Sequence, residues 1–329
     1  LEECMTMYVH TEDGKKDFVR ELTRKCFVNG IRIKNVQHLS KKNGRNAIVF
    51  QARTVGRSCV AAKKVVPVLT EVLRSGYYPD DSNRRIINEE YHQYIFIQED
   101  RFKLLSGVAR MNKGKSHFNG DNFLISRLEC GKAIAAIADG MGSGKRAYIE
   151  SRMVIELMEN CIDAGFDEKA SIDLINSAYI AGGGTGNPVT MDMSVIDCQS
   201  GYMHCMKLGA VSTFIRRDKW VEIIQSTTLP MGVLEQVDYD CTTKKLYDGD
   251  YIVMVSDGVL DNIPCVNKEE RMAQMIHALT IREPSAMAEK LLEQSLAYND
   301  MKASDDCTVL VLGPVSYTHL RAHETSLHL

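Results

Sequence analysis

The chain has 329 residues, enough for two domains, and its composition of 44% hydrophobic and 25% charged residues is that of an ordinary globular protein. No run approaches the roughly 18 apolar residues of a membrane-spanning helix, so we expect neither a membrane span nor a signal peptide in it. The net charge of −3 is distributed unevenly along the chain. Residues 1–110 carry 20 basic and 13 acidic residues, whereas residues 111–329 carry 20 basic and 30 acidic residues. This change in charge indicates a domain boundary.

The positive charge of the first part is scattered along the sequence. We therefore expect no nucleic-acid partner, and an anionic partner or a membrane surface is a secondary possibility beside a solvated surface. The ten cysteines form no Cys-x-x-Cys pair, which predicts reduced thiols in a cytoplasmic setting. Because the chain begins with Leu1 rather than methionine, we expect it to be a fragment of a longer protein.

The first hundred residues alternate between strand-like and helix-like patterns. Strands are predicted at Met5–His10, Ile31–His38, Ala47–Arg53 and Tyr91–Gln98, and helices at Lys15–Val28 and Val60–Arg74. This order predicts a ferredoxin-like α+β domain over residues 1–100. It holds no cluster of catalytic residue types, so we predict a regulatory or self-associating role.

Residues 101–118 are predicted to be a linker, with Phe102–Ala109 as a candidate first strand of the second domain. Beyond it, strands are predicted at Phe123–Leu128, Ala133–Ala138, Met193–Asp197, Tyr202–Lys207, Phe214–Arg216, Val221–Gln225, Tyr251–Ser256 and Thr308–Leu312. Helices are predicted at Lys145–Ala164, Glu168–Ile180, Lys268–Leu279 and Ser285–Tyr298. Many antiparallel strands with two helix pairs predict two stacked sheets covered on both sides.

Three local sequence patterns lead to more specific predictions about the second domain and the C-terminal tail. In the first of these helices, Ile149, Met153, Leu157 and Cys161 recur every four residues and predict a buried stripe. The glycine-rich residues 181–188 are either a plain connector or a mobile flap over a site. Residues 315–329 resemble translated vector sequence, so we exclude them and their histidines His319, His323 and His328 from the fold and from any metal site.

Four short acidic signatures carry the chemistry. They are Gly120-Asp121-Asn122, Ala138-Asp139-Gly140-Met141-Gly142, Ser256-Asp257-Gly258 and Asp305-Asp306-Cys307-Thr308. Each Asp-Gly alone is a common turn. Several aspartates at the ends of strands, however, predict a site of hard oxygen ligands that suits Mg²⁺ or Mn²⁺.

The run from Gly140 to Lys145 imitates a phosphate-binding loop at the start of a helix. The nucleotide-binding P-loop has four residues between its first glycine and Gly-Lys, followed by serine or threonine. Here the spacing is one residue short, and Arg146 follows the lysine. The pattern therefore argues against a nucleotide kinase or ATPase.

The order and spacing of the four signatures resemble the metal-dependent protein phosphatases of the type 2C superfamily. Within that superfamily the sequence is most similar to the phosphatase module of the stage II sporulation protein E family. Further matching segments are Gly107-Val-Ala, Met191-Asp-Met-Ser-Val-Ile-Asp, Lys207-Leu-Gly and Leu229-Pro-Met-Gly. The first hundred residues resemble, more loosely, the region that precedes this module.

The resemblance implies an αββα sandwich over residues 119–314 and a centre that holds two Mn²⁺ or Mg²⁺ ions. In the family, the aspartate that matches Asp139 bridges the two ions, and the carbonyl of the next glycine, here Gly140, is also a ligand. Asp121 matches a carboxylate that holds the ions directly or through water. The resemblance thus makes Asp121 and Asp139 the candidate catalytic residues, with water attacking the phosphate ester directly.

Two further signatures match metal ligands of the family. Asp257 matches one ligand and Asp305 another, and Asp306 remains an alternative to Asp305 because the sequence leaves the register open. Asn122 and Cys307 depart from the serine and methionine that are usual at their positions, without removing a ligand. No arginine aligns clearly with the phosphate-binding arginine of the eukaryotic relatives.

The family also implies partners and a location. Its members dephosphorylate an anti-anti-sigma factor and thereby activate a sporulation sigma factor, self-associate through the upstream region, contact the cell-division machinery and are anchored in the bacterial inner membrane. Helices 145–164 and 168–180 would act as a switch. The alternative is a catalytically weak interaction module with the same fold that scaffolds a partner at the division septum.

Overall fold

The computed structural model describes residues 8–10, 15–41, 45–114, 117–128, 131–142, 144–181, 187–218 and 220–316. The chain divides into two compact units, Leu1–Arg101 and Phe102–Leu329. The predicted linker therefore contains a strand, β8 (Phe102–Met111), which belongs to the second unit. Within the described residues, no helix is long and apolar enough to cross a membrane.

The first unit is an antiparallel sheet with two helices. Its elements are β1 (Tyr8–His10), α1 (Lys15–Val28), β2 (Ile31–Lys41), β3 (Ala47–Thr54), β4 (Val60–Ala61), α2 (Val66–Leu73), β5 (Tyr77–Pro79), β6 (Ile86–Ile87) and β7 (His92–Gln98). The main sheet has the order β1-β2-β3-β7-β5, and β4 pairs with β6. Leu22, Cys26 and Leu69 of the helices pack with the stacked rings of Phe50 and Phe96 of the sheet.

The prediction of a ferredoxin-like topology is wrong. A βαβ unit joins parallel strands through a helix, but β1 and β2, which flank α1, pair antiparallel. The predicted helix Val60–Arg74 is also only partly correct, because Val60–Ala61 is a strand and a 3₁₀ turn at Ala62–Val65 precedes α2. Pro67 near the start of α2 suits a helix that begins there.

The second unit contains two five-stranded antiparallel sheets, of orders β15-β12-β11-β10-β9 and β14-β13-β16-β17-β8. Its further strands are β9 (Asp121–Arg127), β10 (Lys132–Gly140), β11 (Val189–Asp197), β12 (Tyr202–Leu208), β13 (Thr213–Arg217), β14 (Trp220–Ile224), β15 (Asp240–Lys245), β16 (Tyr251–Val255) and β17 (Cys307–Ser316). Its helices are α3 (Lys145–Asp163), α4 (Glu168–Ala181), α5 (Asp257–Asp261), α6 (Lys268–Ala278) and α7 (Pro284–Leu296).

Successive side chains of β10 point to opposite faces of its sheet, and this alternation explains the layers of the second unit. Ala136 and Ala138 pack with α3 and α4, whereas Ala135 and Ile137 point into a core shared with the second sheet. Helices α6 and α7 cover the other face of that second sheet. A strand buried on both faces reads as a continuous apolar run, as residues 133–138 do. The arrangement is an α+β fold of four layers, two sheets between two helix pairs.

The predicted buried stripe of α3 is only partly correct, because Leu157 and Cys161 are partly buried against the core but the first two positions are not. Ile149 is 52% exposed and Met153 37% exposed, and the buried face instead carries Val154, Met158 and Ile162. At 3.6 residues per turn, a residue four positions further along is rotated by about 40° around the helix axis. Residues in a strict four-residue repeat therefore do not stay on the face that contacts the core.

Several predictions lie partly or wholly outside the described residues. These are the first residues of the strand at Met5–His10, the glycines of residues 182–186 in the proposed flap, and the tail from residue 317 onward with its three histidines.

Candidate active site

Two of the predicted aspartates lie side by side on neighbouring strands. Asp121 begins β9, and Asp139 near the end of β10 is its direct antiparallel partner. Asp121 is 1% exposed, and neither of its carboxylate oxygens has a hydrogen-bond partner among the described residues. A buried carboxylate without a partner is costly, so these two oxygens are the most unusual polar atoms of the centre.

Burial and mutual repulsion shift the protonation of both groups. Burial raises the pKa of Asp121 to about 7, although the nearby hydroxyls of Thr308 and Ser256 lower it in part. Burial, and then the negative charges of Asp121, Asp257, Asp305 and Asp306, raise the pKa of Asp139 to about 9. The other four predicted aspartates therefore all lie close enough to repel the carboxylate of Asp139.

Asp257 enters this cluster from the second sheet. It follows β16 and is the first residue of the short helix α5. A Cβ at Gly258 would clash with the backbone carbonyl oxygen of Asp306, so only glycine permits this approach. The Asp-Gly signature thus has a packing reason, which is to bring the third and fourth signatures into contact.

The structure separates the roles of Asp305 and Asp306. Asp306 is 3% exposed, and its two oxygens accept hydrogen bonds from the backbone N–H groups of Lys113 and Gly120, each at 2.7 Å. The side chain of Asp305 is 43% exposed, and its Oδ1 lies 3.5 Å from Lys113 Nζ. Asp306 therefore ties together two ends of a loop, while Asp305 is the carboxylate of the pair that faces solvent.

Helix α3 is fastened to the first two signatures. A Cβ at Gly140 would clash with the carbonyl oxygen of Ala147, so the helix can approach the end of β10 only because residue 140 is glycine. Ser151 Oγ donates to the carbonyl of Gly120 at 2.6 Å, and Asn122 Nδ2 donates to Ser151 Oγ at 2.8 Å. Sequence reasoning noted Asn122 only as a departure from the family and missed Ser151.

Two of the segments that match the family, those of Asp192 and Lys207, form a buried ion pair beside the centre, a role that sequence reasoning did not assign to them. Lys207 Nζ donates to Asp192 Oδ2 at 2.6 Å and to the carbonyl of Val211 at 2.6 Å, with both charged side chains almost fully buried. The Thr213 hydroxyl also donates to Asp192. A cavity of about 40 Å³ lies between Asp192 and the carboxylates of Asp139 and Asp257.

The donor set suits a hard divalent cation, although its side chains are not yet arranged around one. In the described part of the chain, no three acidic, histidine or cysteine side chains are placed to hold a metal ion together. The donors are nevertheless all oxygen atoms, two of them buried without partners in Asp121. A divalent cation would relieve both the missing hydrogen bonds and the repulsion, so the chemistry of the donor set fits such an ion.

Comparison with known proteins gives matches over most of the chain. The family model of stage II sporulation protein E (SpoIIE) matches residues 130–314. The stage II sporulation protein E of Bacillus subtilis (strain 168) is 29% identical over 284 residues, which is 86% of this chain and 34% of that protein. That of Priestia megaterium is 30% identical over 250 residues, 76% of this chain and 43% of that protein. The chain thus spans less than half the length of either relative.

Solved structures agree with these matches. The PP2C phosphatase domain with a fragment of the regulatory domain of SpoIIE from Bacillus subtilis has a TM-score of 0.71 at 27% identity, covering 92% of both chains. RsbX in complex with magnesium has a TM-score of 0.51 at 19% identity, covering 66% of this chain and 97% of that one, and so shares the fold. The resemblance drawn from the four acidic signatures is confirmed: the chain belongs to the stage II sporulation protein E family of PP2C-type serine phosphatases.

Proposed function

We propose that this chain is a metal-dependent phosphoserine and phosphothreonine protein phosphatase. The observation that carries the proposal is the convergence of four separate chain segments on one acidic centre, in which Asp121 has two buried oxygens without partners. Two Mn²⁺ or Mg²⁺ ions would be held by the carboxylates of Asp121, Asp139, Asp257 and Asp305 and by the carbonyl of Gly140. Asp306 would support the site rather than ligate, since it is buried and each of its oxygens already accepts a backbone N–H group, whereas Asp305 is partly exposed.

The reaction places clear demands on such a centre. Phosphate monoesters hydrolyse extremely slowly without catalysis, and a bound pair of divalent cations supplies an activated water and neutralises the charge of the reacting phosphate. The protein's own part is to fix the four carboxylates from two different sheets. Glycines at positions 140 and 258 permit the close backbone approaches that this requires.

The substrate and partners follow from the relatives as proposals. We propose that the substrate is a phosphorylated anti-anti-sigma factor, whose dephosphorylation activates a sporulation sigma factor. Residues 1–100 would form a regulatory unit that self-associates and contacts a cell-division protein, and helices α3 and α4 would act as a switch. The parent protein would be anchored in the bacterial inner membrane upstream of this chain, which spans 34% of the relative from Bacillus subtilis.

The test is phosphate release from an aryl phosphate and from a phosphorylated anti-anti-sigma factor, with Mn²⁺ or with chelator. Asp139→Asn removes one negative charge at nearly constant volume and should abolish turnover while leaving the fold intact. Asp173→Asn, an exposed aspartate on α4, is the matched control and should retain full activity. Turnover in Asp139→Asn equal to wild type would refute the assignment. Absence of both turnover and Mn²⁺ binding in the wild type would favour the scaffold alternative.

A further inference from the structure

The loop between β8 and β9 places a cation at the mouth of the acidic centre. Lys113 lies in this loop, with a side chain that is 45% exposed and an Nζ atom 3.5 Å from Asp305 Oδ1. Asp305 is a partly exposed candidate ligand, and Asp257 is more exposed than it is. The ammonium of Lys113 therefore lies beside a part of the centre that solvent reaches.

The backbone of Lys113 is fixed by the centre itself. Its N–H group donates to Asp306 Oδ1, and the N–H group of Gly120 donates to the other oxygen of the same carboxylate. At the far end of the loop, Asn119 Oδ1 accepts from the N–H of Asp121 at 3.0 Å, and Asn119 Nδ2 donates to Asn112 Oδ1 at 2.9 Å. One buried aspartate thus sets the position of Lys113 relative to Asp121.

Among the described residues, a second cation beside the centre, Arg110, is already engaged. The guanidinium of Arg110 donates to the backbone carbonyl of Asp121 and lies over the ring of Phe123, 5.4 Å from its centroid. It supports the strand that carries Asp121. Lys113, by contrast, makes a partly exposed ion pair. Such pairs contribute little to stability, so its ammonium can exchange one anionic partner for another.

We propose that Lys113 binds an oxygen of the substrate's phosphate group, exchanging Asp305 for the phosphate when a divalent cation engages that carboxylate. The proposal rests on the proposed phosphatase function and assigns its phosphate-binding residue. An ammonium group binds phosphate as a compact point charge with three donors. The lysine thereby fills the role for which the sequence offers no clearly aligned arginine.

The test compares Lys113→Ala, Lys113→Arg and Lys290→Ala. Lys290 is the matched control, because its side chain is 43% exposed and paired with Glu293 on α7, which contributes no candidate ligand. Four quantities are measured for each protein: kcat and KM for an aryl phosphate, the affinity for inorganic phosphate by calorimetry in the presence of Mn²⁺, and the Mn²⁺ affinity by electron paramagnetic resonance.

For Lys113→Ala we expect KM and the phosphate dissociation constant to rise roughly tenfold, the scale of a lost charged hydrogen bond, with a smaller change in kcat. Mn²⁺ affinity should stay the same or increase, since a cation that competes for Asp305 has been removed. Lys113→Arg should retain most of the phosphate affinity, and Lys290→Ala should behave as wild type.

The outcomes separate the two proposals. Turnover by the wild type together with unchanged KM and phosphate affinity in Lys113→Ala would overturn the role of Lys113 and leave the phosphatase standing. Mn²⁺ affinity that falls in parallel with phosphate affinity would also overturn it, because the lysine would then only support the loop. If the wild type shows no turnover but its phosphate affinity still depends on Lys113, the phosphate-binding role of Lys113 would stand and the phosphatase function would be refuted.

Discussion

Replacing Asp121 by asparagine should stabilise the protein in chelator and weaken its response to Mn²⁺. Burial raises the pKa of Asp121 to about 7 in the folded state, against about 3.9 in an unfolded chain. Between these values the folded state binds more protons, so the free energy of unfolding falls as the pH rises from about 4 to about 7. A shift of about three pKa units corresponds to about 4 kcal/mol of destabilisation at pH 8.

Asparagine keeps the volume and removes the charge, but its amide still has to be buried. We therefore expect a net gain of about 2 kcal/mol at pH 8, which for a unit of this size raises Tm by roughly 4–8 °C. In chelator, the Tm of the wild type should fall between pH 5 and pH 8, and that of the variant should fall less. In saturating Mn²⁺ the order should reverse, because a cation that binds only the folded wild type adds about 2.7 kcal/mol at a hundredfold excess over its dissociation constant.

The assay is thermal unfolding of the full chain across this pH range, following the transition that shifts with Mn²⁺, since two units need not unfold together. Asp173→Asn serves again as the control and should show the slope of the wild type. A variant that is less stable than wild type in chelator, or that keeps the wild-type pH slope, would show that Asp121 carries no electrostatic strain.

Five further substitutions test the packing around the centre and the buried face of α3. Gly258→Ala should lower Mn²⁺ affinity at least tenfold, because its methyl group would occupy the space of a backbone carbonyl; Mn²⁺ titration measures this. Lys207→Met should cost about 3–5 kcal/mol by leaving Asp192 buried without its cation, and Asp192→Asn in the same chain should recover most of that loss in denaturant unfolding. Met158→Ala should lower the free energy of unfolding by about 2–5 kcal/mol, whereas Ile149→Lys should change it by less than about 0.5 kcal/mol. The same unfolding assay thus checks which face of α3 is buried.

Most strands and helices of the second unit could be predicted from the sequence, because the patterns that indicate them lie within single segments. A continuous apolar run followed by Asp-Gly marks both β10 and β16, and each of the eight strands predicted beyond residue 119 corresponds to an observed one. What the pattern missed was short or polar. Helix α5 is only five residues long, and β15 is an edge strand of sequence Asp-Cys-Thr-Thr-Lys-Lys. Neither length nor composition gives such elements a recognisable period.

Other properties do not reside in a single segment. Whether β1 and β2, which flank α1, run parallel or antiparallel depends on which strand edges meet, so the predicted topology was wrong. The proposed preference for Asp305 over Asp306 as a ligand likewise rests on the distant N–H groups of Lys113 and Gly120. Sequence spacing contains neither piece of information.

The buried pair of Lys207 and Asp192 shows how stability and site geometry can be separated in this fold. Replacing such a pair by uncharged residues is often neutral for stability, so we expect its main effect to be on the geometry of the site. Both residues lie in the first sheet with Asp139, while Thr213, which also bonds Asp192, begins a strand of the second sheet, the sheet from which Asp257 emerges. The pair therefore links the two sheets beside the cavity that Asp139 and Asp257 line. The double variant should accordingly regain stability without regaining full Mn²⁺ affinity, because the separation of the two carboxylates would no longer be fixed.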